Sequence, residues 1–228
     1  MKYIVVGLGN FGLSLAEKLT KLGNEVIGID NSIAKVEAVK EKISYAICLD
    51  ATDEFAMSGL PWKDTDIVII AIGEDTGANI MATAMVKKLH PNRIISRAIT
   101  PIHETILEAM NVETIIHPED ESAERWAKKL SLKGMVDSFE LSMNFSIAEI
   151  SIPDKLVGKT IEEVGFRNNY NLVCVTIIKK IADKNLFGKV KRINQIQGVV
   201  TTDTVLEAAD ILVIYGDNEE IKKFIKSN

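Results

Sequence analysis

The chain has 228 residues, with 27 Lys and Arg against 32 Asp and Glu, 46% hydrophobic and 26% charged, the balance of one large or two modest globular domains and not of a disordered chain. A net charge of −5 supplies no basic field for nucleic acid, and Cys48 and Cys174 form neither a disulfide framework nor a CxxC metal pair, a usage that suits a reducing cytoplasm. The longest apolar run, Ile67 to Ile72, falls far short of the roughly 20 residues of a membrane span, and glycines break the stretch after Val6 too early for a signal peptide, so direct membrane insertion is not expected.

In chain order, six short runs read as strands: Tyr3–Val6, Glu25–Ile29, Ala46–Leu49, Ile67–Ile72, Arg93–Ser96 and Thr114–Ile116. Most are apolar at successive positions, as strands covered by helices on both faces must be. Between the first two, Leu15, Ala16, Leu19 and Leu22 repeat with helical period and stop at Gly23. The pattern predicts βαβ units and an α/β domain with a Rossmann-like doubly wound parallel sheet. An amphipathic segment from Glu119 to Lys133 follows, acidic in its first turn and basic in its last, which complements the helix dipole. Beyond Asp137 the pattern changes to strands at Ser146–Ile152, Leu172–Lys179 and Ile211–Tyr215 and a helix at Asp217–Ile225, predicting a smaller α+β domain. The expected division is 1–136, including the connecting helix, and 137–228.

Gly7-Leu8-Gly9-Asn10-Phe11-Gly12 is a GxGxxG sequence between the first strand and the first helix. The first glycine permits the turn, the second lets backbone approach a pyrophosphate, and the third lets helix and strand pack closely; the helix then offers free N–H groups to an anion. Asp30 ends the second strand, placed to accept hydrogen bonds from ribose hydroxyls and to repel a 2′-phosphate. Its alternative role is a helix cap with Asn31-Ser32.

An oxidoreductase needs an acid, base or metal beside such a cofactor site. His90, His103 and His117 all lie in the first half without metal-ligand spacing, and His90 and His103 read as capping or solvated residues at helix ends. The second half has no histidine, and Cys174 sits inside the apolar run Leu172–Val175, where core packing is its default. An NAD-dependent oxidoreductase with unrecognised catalytic residues is the competing reading.

Taken together, the glycine loop, Asp30, Asp50-Ala51-Thr52 after the third strand, Ala71-Ile72-Gly73 after the fourth, Arg97 after the fifth and His117-Pro118-Glu119 resemble an RCK (regulator of K⁺ conductance) protein of the Ktr/Trk type. The second half, with Leu156-Val157-Gly158-Lys159-Thr160-Ile161, Phe166-Arg167 and the run Leu206 to Gly216, is similar to the small RCK C-terminal domain. The resemblance implies a cytosolic regulatory subunit and not an enzyme: a homodimer assembled into a ring, such as an octamer, beneath a membrane K⁺ channel or transporter. An RCK module serving a different transporter is the second alternative.

By the same resemblance, an adenine nucleotide (NAD(H), ADP, ATP or AMP) would occupy the first domain. Gly7, Gly9, Asn10, Phe11 and Gly12 would line the phosphates, Asp30 would hold a ribose, Asp50, Ala51, Thr52, Ala71, Ile72 and Gly73 would border the adenosine, and Asn31 and Glu74 would also contact the nucleotide. Arg97 would sit near phosphate, and Glu119 would approach the phosphate end and a divalent cation across the dimer. ATP-responsive members carry arginine where this chain has Asn10, a departure that removes a charge-assisted contact and moves NAD(H), ADP and AMP ahead of ATP. The connecting helix is the expected lever, hinged near Gly134. The stretch Ile161 to Leu172, with Arg167, Asn168 and Asn169, aligns with a region that binds cyclic di-AMP in some members, although the asparagines also suit turns. Lys179, Lys180, Lys184, Lys189, Lys191 and Arg192 read as a solvated hairpin or as a face for a phosphate-rich partner or membrane.

Overall fold

A computed structural model of the chain describes residues 1–89, 91–184 and 190–227, with backbone alone at 182–184 and 190–193. Two compact units divide at Asp120 and Glu121. In the first, β1 (Lys2–Val6), β2 (Glu25–Asp30), β3 (Tyr45–Cys48), β4 (Ile67–Ile70), β5 (Ile94–Arg97) and β6 (Thr114–Ile116) form a parallel sheet in the order β3-β2-β1-β4-β5-β6. This is the expected doubly wound arrangement. The strands alternate between two cores, because successive side chains point to opposite faces. Ile4, Val6, Val68 and Ile70 pack on one side with Met57, Trp62 and Leu107; Val5, Val26 and Ile69 pack on the other with Ala16, Val36 and Val39.

The helices of this unit are α1 (Asn10–Lys21), α2 (Ile33–Val39), α3 (Glu54–Ser58), α4 (Thr76–Lys88) and α5 (Pro101–Ala109). Asp53, Asp75 and Thr100 cap α3, α4 and α5, each accepting backbone N–H groups of the first turn. His90 lies outside the described residues.

The connecting helix α6 (Pro118–Ser131) crosses the division between the units. The sequence boundary at 136 assigns the whole helix to the first domain. In the structure most of it belongs to the second unit, where Arg125 pairs with Asp137 and Lys128 with Glu140 of β7 (Met135–Glu140). The Arg125 guanidinium holds the Asp137 carboxyl below its ordinary range.

The second unit is built on a five-stranded antiparallel sheet in the order β10-β9-β11-β8-β7, with β8 at Phe145–Ser151, β9 at Val173–Lys184, β10 at Val190–Ile196 and β11 at Ile211–Asp217. The basic stretch read as a hairpin pairs β9 with β10 in register Lys184 to Val190; its turn and most of its side chains lie outside the described residues. One face of the sheet buries Ala148, Ile150, Ile177, Leu212 and Ile214 beneath α7 (Ile161–Val164), α8 (Phe166–Tyr170) and α9 (Asn218–Ser227). Phe224 of α9 is fully buried there, edge-on to Tyr170 with ring centroids 4.7 Å apart and tilted against Phe166 at 5.6 Å. Phe224→Ala should therefore cost about 3–5 kcal/mol of unfolding free energy in urea titration, the range for emptying a packed aromatic site, and a loss below about 1 kcal/mol would show that the ring is loosely held.

Candidate functional site

β1 lies between β2 and β4, so the connections leaving its end and the end of β4 part in opposite directions. In doubly wound sheets this reversal opens a crevice at the carboxyl ends of the strands. Here it is a cavity of about 330 Å³. Among the residues expected to hold a nucleotide, Gly7, Gly9, Asn10, Phe11, Asp30, Asn31, Asp50, Ala51, Thr52, Ala71, Ile72, Gly73, Glu74, Arg97 and Glu119 all line it.

Gly12 does not. A Cβ there would collide with the carbonyl oxygen of Gly7, so its role is the close approach of α1 to the loop after β1. Gly7 itself has φ +95°, a conformation that costs a side chain dearly, and a Cβ would stand 2.9 Å from the Ile72 nitrogen. Gly9 differs from both: nothing lies within 4 Å of where its Cβ would be. Protein packing does not explain the glycine at this position, which faces open cavity. Gly9 also opens α1 with no side-chain cap, in contrast to α3, α4 and α5, and the first turn of α1 carries no acidic residue. The amides of that first turn are left as donors toward the cavity.

Asp30 is buried, with Oδ2 accepting the Leu8 amide at 2.8 Å and Oδ1 accepting the Ser32 amide at 2.9 Å. Lys35 stands 3.6 Å from Oδ2. The carboxylate thus fixes the glycine loop to β2, and its lone pairs exceed the two amides it accepts. Asp50 folds onto Thr52, accepting its backbone N–H at 2.9 Å and its hydroxyl at 2.8 Å; those bonds hold its carboxyl below the ordinary range.

Across the cavity, the Arg97 guanidinium lies over the Phe11 ring at 6.0 Å, occupies the space a Cβ on Gly73 would need, and donates to Glu119 Oε1 at 2.6 Å. Its Nε is buried without a partner. Glu119, expected to approach a cation, is engaged by Arg97 in the single chain, and among the described residues no group of three or more His, Cys, Asp or Glu could hold a metal ion. Lys35 and Asp75 also line the cavity and were not expected there. Asp75 was legible as the N-cap of α4, since an aspartate preceding a helical segment is a start signal.

His103 is neither a cap nor solvated. It is fully buried, its backbone is capped by Thr100, and its Nε2 lies 3.1 Å from Asn79 Oδ1 while Nδ1 has no partner. Burial, helped by nearby His117, pushes its pKa below the ordinary 6.5. In the second unit, Arg167 and Asn168 line a cavity of about 400 Å³ with Cys174, whose thiol burial pushes up to about 11. Asn169 turns instead to the Val164 carbonyl at 2.8 Å.

Residues 3–118 match the TrkA-N domain family. Over 225 residues the chain is 31% identical to Ktr system potassium uptake protein C of Bacillus subtilis (strain 168), covering 99% of this chain and 96% of that protein. It is 26% identical over 226 residues to Ktr system potassium uptake protein A of Vibrio alginolyticus, covering 99% and 97%. Among solved structures, the GsuK channel bound to NAD superposes with a TM-score of 0.60 at 18% identity, over 96% of this chain and 38% of that one, a likeness that shows the shared fold. The fold and the switch-point cavity define a protein whose first unit is a doubly wound domain of the dinucleotide-binding type. The chain belongs to the TrkA-N family, among the Ktr/Trk-type regulatory subunits of potassium uptake.

The buried His103 generates a pH prediction. Its folded pKa lies below the unfolded value, so the stability it contributes is complete above about pH 6.5 and is lost as pH falls below that value. Thermal midpoints should drop from pH 7 toward pH 5.5 with a His103 contribution of at most about 1.4 kcal/mol per pH unit, and His103→Gln should flatten that slope. Identical slopes in the two proteins would contradict the assignment.

Proposed function

We propose that the chain is a nucleotide-sensing regulatory subunit of a potassium uptake system, with an adenine nucleotide in the cavity between the ends of β1 and β4. The observation that carries this reading is the uncapped start of α1 beside the open face of Gly9, facing Asp30 and Arg97 across one cavity. That arrangement offers amide donors to phosphate, a carboxylate to ribose hydroxyls and a partly buried cation to an anion. The relatives' names supply the transport system and support a separate membrane-spanning partner; no helix among the described residues is long and apolar enough to cross a membrane.

The electrostatics favour a nucleotide of low charge. Asp30, Asp50, Glu74, Asp75 and Glu119 line the cavity against Lys35 and Arg97 alone, and Asn10 adds no cation at the loop. A triphosphate brings more negative charge to this wall than NAD(H) or AMP, unless a divalent cation enters with it at Glu119. The reading extends to a homodimer and ring. On α6, Trp126 is 57% and Leu130 78% exposed, an i,i+4 apolar pair on a helix with no buried residue, which suits packing against another copy. It extends also to cyclic di-AMP in the cavity of the second unit, supported by Arg167 and Asn168 at its wall.

Isothermal titration of the full chain should give NADH binding at least about tenfold tighter than ATP without divalent cation. Gly9→Ala should weaken NADH at least about tenfold while leaving the thermal midpoint within about 2 °C, because the added methyl meets ligand and not protein. Unchanged NADH affinity in that variant would overturn the placement.

A further inference from the structure

We infer that Asn79 is a positioning residue for the nucleotide cavity, a role that rests on the proposed binding there. Asn79 lies on α4, is fully buried, and does not line the cavity. Its Nδ2 nevertheless donates to two carbonyls that do belong to the cavity wall, Ile72 O at 2.9 Å and Arg97 O at 3.1 Å. The ladder between β4 and β5 ends at Ile70 and Ser96. Past that point the two chains separate, and the Asn79 amide is the bridge between them.

The bridge is held in one orientation. Asn79 Oδ1 accepts from Ser96 Oγ at 3.1 Å, faces His103 Nε2 at 3.1 Å, and lies 3.4 Å from Thr83 Oγ1. Ser96, Thr83 and His103 are all fully buried. Both amide hydrogens and the oxygen are therefore committed, and the donors around Oδ1 fix which end of the amide meets the carbonyls. The consequence falls on Gly73 and Arg97. Each directly neighbours or contains a pinned carbonyl, and the guanidinium packs where Gly73 lacks a side chain. Releasing the bridge lets the cation drift from the cavity, which loosens ligand binding without removing any atom that touches ligand.

Aspartate is close in shape but replaces both donors with an acceptor, so Asn79→Asp sets oxygen against two carbonyls. Ser96→Ala is milder: it removes one donor that orients the amide and leaves the two bridging bonds. Leu107→Ala serves as the control, since Leu107 is fully buried in the same unit and does not line the cavity.

Titrations with NADH, run where each protein is folded by circular dichroism, should show at least about tenfold weaker binding for Asn79→Asp and about threefold for Ser96→Ala. Leu107→Ala should keep wild-type affinity despite a lowered thermal midpoint, a separation that a purely structural role for Asn79 would not produce. If Asn79→Asp fails to fold, the Ser96→Ala comparison alone decides. Wild-type affinity in every variant that folds, Ser96→Ala included, overturns the positioning role and leaves nucleotide binding intact. No NADH binding by wild type overturns both.

Discussion

The place where the parallel sheet reverses its direction of winding governs the first unit. With β2 on one side of β1 and β4 on the other, backbone leaving the two central strands must diverge, and the space between cannot be filled by a strand ladder. The chain meets this constraint with short-range devices. Gly7 adopts a positive φ against the Ile72 backbone, Gly12 lets α1 close on the loop, and the Asp30 carboxylate ties the Leu8 amide to β2. What remains is a cavity whose walls are held rigidly and whose centre is open.

The two sides of that cavity are fixed by different means. On the β2 side a buried carboxylate organises the loop through charge-assisted bonds to backbone amides. On the β5 side neutral side chains do the work, with Asn79, Ser96, Thr83 and His103 forming a buried polar cluster behind Arg97. Buried polar groups are costly unless partnered. This cluster leaves only His103 Nδ1 among its side-chain atoms without a partner, and burial, with nearby His117, holds the histidine's pKa below its ordinary value. Under the proposed function, the negative surplus at the cavity wall selects against highly charged ligands.

Much of this was legible in the sequence because the central strands are apolar on both faces and the glycine spacing sits between a strand and a helix. The edge strand β7 of the second sheet was harder. Met135–Glu140 is interrupted by the adjacent polar pair Asp137-Ser138, breaks register with β8 between Met135 and Asp137, and carries too little apolar signal to be read as a strand. The helices Ile161–Val164 and Phe166–Tyr170 are shorter than any periodic window. At the site, residues that belong to a glycine or acidic motif could be found, whereas Asn79 belongs to none. Its one signal was a polar residue on the same helical stripe as Ala82, Thr83 and Val86, all buried. His103 was misread for a related reason: position at a helix start suggests a cap, but Thr100 already fills that role and leaves the ring free to turn inward.

Hydrogen–deuterium exchange of the full chain with and without saturating NADH tests the central claim most directly, since it reports where a nucleotide sits without altering a residue. Slowed exchange concentrated in residues 9–12, 50–52 and 72–74 is the predicted result. Protection confined to other segments, with those three unchanged at saturation, would contradict the assignment of the β1/β4 cavity as the nucleotide site.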